Sequence, residues 1–169
     1  MRKLRALLIA VAVTAGLVAA SGSASAGEDG YGFFALRLTD GTPIVERESG
    51  FVGTGTGAPS VWYLTAAKGD PSKIVLWTAD RERVWALGYD KPFRPVYTSG
   101  TVKDAQVWEP YGNPPPPATA AASLTLKLSP ENSLYPLALN SSRPDGKLGL
   151  NQNGATAVTL HLTKIDRPA

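Results

Sequence analysis

Three stretches of the chain repeat one another without gaps: Phe34-Ala35-Leu36-Arg37-Leu38-Thr39-Asp40, Ile74-Val75-Leu76-Trp77-Thr78-Ala79-Asp80 and Leu124-Thr125-Leu126-Lys127-Leu128-Ser129-Pro130. Val45, Trp85 and Tyr135 then stand at one shared offset beyond Leu36, Leu76 and Leu126. Such recurrence marks a repeated supersecondary unit, too small to bury its apolar face alone and stable only against its copies. Within each stretch apolar and polar residues alternate, the period of a strand with one buried face. The pattern constrains architecture and says nothing yet of chemistry.

Each copy carries four β segments, bounded by Gly, Pro, Asp and Asn clusters. Strands are predicted near residues 31–39, 43–49, 51–56 and 60–67, then 73–79, 83–89, 95–99 and 105–111, then 123–129, 133–139, 147–152 and 156–165. Thr39-Asp40-Gly41-Thr42 reads as a turn whose glycine takes positive φ. Three four-stranded units in one all-β domain predict a β-trefoil, with repeats at roughly 31–69, 70–113 and 118–166. In that fold six strands make a short barrel and six form capping hairpins. A β-sandwich is the alternative, although it offers no reason for threefold recurrence. Phe34, Ile74 and Leu124 are expected to point inward with Leu36, Leu76 and Leu126. Trp62, Trp108 and Leu160 are placed at the barrel floor, and Trp85 in the core with Val45 and Tyr135 as its counterparts. Asn113–Ala118, with four consecutive prolines, reads as a stiff surface connector.

Arg2, Lys3 and Arg5 precede an apolar run from Ala6 to Ala20 and the small-residue segment Ser21–Ala26. These are the parts of a secretory signal peptide, with cleavage expected after Ala26. Loss of 26 residues from 169 leaves 143, suited to a single domain over 27–169. Loss of three cations from 17 leaves 14, equal to the 14 acidic residues. The mature chain is therefore neutral, which speaks against a nucleic-acid surface, and no later stretch is apolar enough for a membrane. With no cysteine, disulfide frameworks and thiol chemistry drop out, and packing must hold an exported fold.

Gln106-Val107-Trp108, near the end of the second copy, resembles the Gln-x-Trp signature of ricin-type β-trefoil lectins and related carbohydrate-binding modules. Ser60-Val61-Trp62 keeps its tryptophan and Val158-Thr159-Leu160 keeps neither residue. The resemblance implies a trefoil and a carbohydrate-binding role. The family's sugar-binding Asp is absent, because the aligned column reads Arg37, Trp77 and Lys127. No site residue is therefore carried over.

That column makes Trp77 a candidate ligand-binding residue, since register places an indole where the other copies place cations. Trp77 and Tyr97 are expected to form a stacking surface, or Trp77 to pack under the Pro92–Pro95 loop or against Tyr97. A second class, an extracellular protease inhibitor or other protein-binding module, would use Gly88–Thr98 as a substrate-like loop carrying Lys91, Phe93 and Arg94. No catalytic set is expected. His161, the single histidine, alternates outward on the last strand without a marked serine, and one histidine without cysteine makes no metal site. Glu46, Glu48, Asp80, Glu82 and Asp104 read as solvated surface acids. Gly53-Thr54-Gly55-Thr56-Gly57 lacks the lysine of a phosphate loop and reads as a flexible or bulged strand. The expectation is a secreted, monomeric, non-enzymatic binding protein without cofactor, acting on an extracellular glycan or protein.

Overall fold

The computed structural model describes residues 30–89, 93–110, 123–131, 133, 135–139, 146–151 and 157–168. The expected leader 1–26, the connector 113–118 and Lys91 lie outside these residues. Among them, regular structure is antiparallel β apart from one 3-10 turn at Val102–Asp104.

The first copy supplies β1 (Gly30–Leu38), β2 (Ile44–Glu46), β3 (Val52–Thr54) and β4 (Val61–Ala67). The second supplies β5 (Asp70–Thr78), β6 (Val84–Leu87), β7 (Phe93–Ser99) and β8 (Trp108–Pro110). In the third, β9 (Ser123–Leu126) and β10 (Leu128–Pro130) divide one expected strand at Lys127, before β11 (Leu137–Leu139), β12 (Leu148–Asn151) and β13 (Leu160–Ile165). Every expected strand has an observed counterpart.

Pairing runs from β1 to β4, β5, β8 and β10, and from β9 to β13, which returns to β1. Because β9 and β10 follow directly across Lys127, hydrogen bonding passes round a circuit. Three hairpins, β2–β3, β6–β7 and β11–β12, complete the chain. They are stitched together, with β7 paired to β12 and bridges joining Phe51 to Tyr97 and Gly53 to Lys147. Gly53 is needed there for its missing side chain. A Cβ would lie 2.5 Å from the Gly146 carbonyl oxygen, and the neighbouring Thr54 N–H donates to that oxygen at 2.8 Å. The expected loose strand is thus a close crossing of two hairpins.

Leu36, Ile44, Val52, Leu64, Ile74, Leu76, Val96, Leu137, Leu148 and Leu160 are buried together with three tryptophans. Trp62 and Trp108 come from β4 and β8, and Trp85 from the second hairpin stands between them. The ring centroids of Trp62 and Trp85 are 5.0 Å apart, those of Trp85 and Trp108 5.9 Å, both at 85°. Edge-to-face contact suits the aromatic quadrupole and adds to burial.

The register corrects the third copy. Phe34 faces Trp62 and Ile74 faces Trp108, but Leu160 is faced by Leu126 and not by Leu124. Across the neighbouring seams Thr78 faces Trp62, Pro130 faces Trp108 and Leu38 faces Leu160. The gap-free alignment is therefore two residues early in this copy. A two-residue slip leaves every side chain on the same face, so alternation cannot detect it. Two expectations fall with it: Tyr135 is 42% exposed while Leu137 fills the core place beside Trp85, and the residue matching Trp77 is Ser129 instead of Lys127.

Candidate functional site

Tertiary pairing brings the second and third copies together around a cleft of about 370 Å³. Leu87, Pro130 and Leu150 provide apolar surface; Arg94, Gln106, Glu131 and Tyr135 provide the groups able to recognise a ligand. Its volume falls within the roughly 300–1,000 Å³ of small-molecule sites.

Local structure fixes each polar group. Arg94 sits in β7 opposite Leu150 of β12, and its Nε donates to the Gly88 carbonyl at 2.8 Å. That bond orients the guanidinium while its two terminal nitrogens meet no acceptor among the described residues. The Arg94 Cζ lies 5.8 Å from the Tyr89 ring centroid. Gln106 is held by its backbone N–H on the Trp85 carbonyl (2.8 Å) and its side-chain amide on Val107 (2.7 Å), so its side-chain oxygen remains an acceptor. The Glu131 N–H donates to Val107 at 2.9 Å. Tyr135 is placed by a local turn, its N–H donating to the Ser133 hydroxyl at 3.1 Å.

Glu131 also belongs to an ionic cluster behind the cleft. The Lys73 ammonium meets Glu131 Oε1 at 2.6 Å, Glu109 Oε1 at 3.2 Å and Asp70 Oδ2 at 3.4 Å. Hydrogen bonds from Glu131 first, then Glu109, push the lysine well above the usual ammonium range. Asp70 is pulled below the ordinary carboxyl value, chiefly by the Ser72 hydroxyl and N–H. One cation among three carboxylates leaves the cluster negative. Arg94 and Glu131 line the same cleft yet form no ion pair with each other.

Trp77 lies elsewhere. It is half-buried against Ala67, Val75 and Val84, together with Ala105 and Val107, and its indole N–H donates to Thr65 Oγ1 at 3.0 Å. Ala105 and Val107 pack against the same small cluster, and Pro92 of the expected covering loop lies outside the described residues. Tyr97 shares this face, one row farther along and two strands away, with Val84 between. Burial first, then the Asp104 carboxylate, raises its phenol above the ordinary value. The expected inhibitor loop is also reorganised, since Phe93 and Arg94 belong to β7 and the Gly88 N–H bonds Pro95 at 2.8 Å. Tyr89, two residues beyond β6, is 87% exposed.

His161 Nδ1 is 3.0 Å from Thr125 Oγ1, on a strand position opposite Arg37. Glu46 departs from its expected place in solvent. Its side chain is 19% exposed, gripped by both Arg83 terminal nitrogens and by the Thr98 hydroxyl at 2.5 Å, tying two hairpins together. Asp80 and Asp104 do occupy turns, accepting from Thr78 and Ser99 hydroxyls respectively.

Sequence reasoning named Arg94, for a loop, and Gln106, for the lectin-like triplet, without bringing them together. It passed over Glu131 and set Tyr135 in the core. The turn Pro130-Glu131-Asn132-Ser133 before Tyr135 was the available signal, legible once Leu137 is recognised as the core residue.

No family model matches the sequence, and neither does any curated protein. Among solved structures, a Caenorhabditis elegans protein of unknown function is similar at a TM-score of 0.58 and 14% identity, covering 82% of this chain and 98% of its own. At that identity the likeness concerns the fold alone.

Proposed function

We propose that this chain is an exported β-trefoil that binds an extracellular carbohydrate in the cleft between its second and third copies, without turning it over. The return of β13 to β1 and the three hairpins support the trefoil; the charged-then-apolar leader supports export. One observation carries the site: the Arg94 cation, Glu131 with an oxygen that meets no donor among the described residues, and the exposed Tyr135 line one cleft together with Leu87, Pro130 and Leu150. Carboxylate and amide oxygens accept from sugar hydroxyls, while an aromatic face packs on the C–H side of a sugar ring.

A glycan array followed by titration calorimetry tests this proposal. Tyr135→Ala is expected to weaken glycan binding at least about tenfold, or roughly 1.4 kcal/mol, with unchanged melting, whereas Trp77→Ala lowers stability. Glycan binding that survives Tyr135→Ala and is lost with Trp77→Ala instead relocates the site to the outer face of β5.

A protein-binding role, including protease inhibition, keeps one favouring observation in Tyr89, an almost fully exposed aromatic at a hairpin tip. Inhibition of a trypsin-like protease that is lost in Tyr89→Ala or Arg94→Ala, with no glycan bound, selects it.

A further inference from the structure

We infer that the cleft selects a sugar bearing a single carboxylate, a uronic acid, with Arg94 as the residue that reads the charge; the inference rests on the carbohydrate site proposed above. Arg94 lines the cleft and is anchored through Nε on the Gly88 carbonyl, so its two terminal nitrogens keep their donors for a ligand. A planar carboxylate matches such a fork with two parallel hydrogen bonds, stronger than those to a neutral hydroxyl. A neutral sugar would leave this cation without a charged partner, since Glu131 lines the same cleft and does not pair with it.

Glu131 limits the charge the ligand can carry. Its Oε1 is held by Lys73, and that lysine is shared with Glu109 and Asp70, so the group of charges to which Glu131 belongs is net negative. A sulfated or phosphorylated chain with several charges would meet repulsion there. A single carboxylate on Arg94, with ring hydroxyls donating to Glu131 Oε2 and Gln106 Oε1, satisfies both walls. Tyr135 supplies the apolar face. The four side chains thus describe one ligand with an acidic end and a hydroxylated end.

The test compares three probes by calorimetry on the full chain: a disaccharide ending in glucuronic acid, its methyl ester, and the neutral glucose counterpart. The acid is expected to bind at least about tenfold more tightly than the ester, and added salt is expected to erode that preference. Arg94→Gln should abolish it, weakening the acid by more than it weakens the ester. Arg94→Lys, which keeps the charge and loses the fork, should retain the salt dependence and only part of the preference. Thermal melts confirm that both variants fold; where a variant does not melt like the parent, the three probes on the parent carry the test, since they differ in the charge at one position. Acid and ester binding equally, with both lost in Tyr135→Ala, overturns the carboxylate inference and leaves the carbohydrate site standing. Binding of none of the probes, with a glycan array also blank, overturns both. A peptide with a free C-terminal carboxylate that binds through Arg94 when the uronate does not overturns the inference in favour of a protein ligand.

Discussion

Trp85 makes two edge-to-face contacts at the centre of the molecule and is fully buried. Trp85→Ala removes a large volume that β6 cannot refill from its own short length, so the expected loss is about 3–5 kcal/mol. For a domain of this size each kcal/mol is worth roughly 2–4 °C of melting temperature, and calorimetry should record a fall on the order of 10 °C. Gly53→Ala attacks a different constraint, driving a methyl into the Gly146 carbonyl. Overpacking of this kind costs about 1–3 kcal/mol, whereas Gly100→Ala, with open space around it, should be nearly silent in the same denaturant titration. The contrast separates crowding from the general cost of replacing glycine.

Three turns share one device, an aspartate whose Oδ1 accepts the N–H two residues on: Asp40 from Thr42 at 2.9 Å, Asp70 from Ser72 at 2.9 Å and Asp80 from Glu82 at 3.0 Å. These bonds favour the ionised form, and each acid sits below the ordinary carboxyl value of 3.8. For Asp80 the Thr78 hydroxyl is the larger cause and the Glu82 N–H the next. The folded state therefore binds these protons more weakly than the unfolded chain. Their contribution is present in full above 3.8 and is lost as pH falls through the depressed values. Melting temperature should drop steeply below about pH 4, and Asp80→Asn should flatten that drop while lowering stability at neutral pH. Such elements were legible because their signals are local: Asp-Gly and Asp-x-x turns, alternation, and a tryptophan at each of two matching strand ends. The slip in β9 and β10 was not legible, since the side-chain period of two treats Leu124 and Leu126 alike. The candidate site suffered most from that slip. Tyr135 reads as a core residue, and Arg94 and Glu131 lie far apart in the chain, the first placed by β7 on β12 and the second by β10 on β8.

At the scale of the molecule, the circuit of strands closes through β13, which carries pairing to both β1 and β9. Deleting residues 160–167 removes one strand and exposes two edges at once, leaving Leu36 and Leu38 without Leu162 and Leu160 opposite them. Such a variant is expected to lose its cooperative melt and to aggregate through open strand edges, as light scattering would report. The candidate site draws its lining from both the second and the third copy. The three central indoles carry a last consequence. With Trp85 at 85° to each of the other two and within 6 Å of both, they form a chiral, coupled optical unit drawn from β4, β6 and β8. Their near-ultraviolet ellipticity should vanish when the strands lose register even if the chain stays collapsed and rich in β structure, so the core reports on its own assembly without any label.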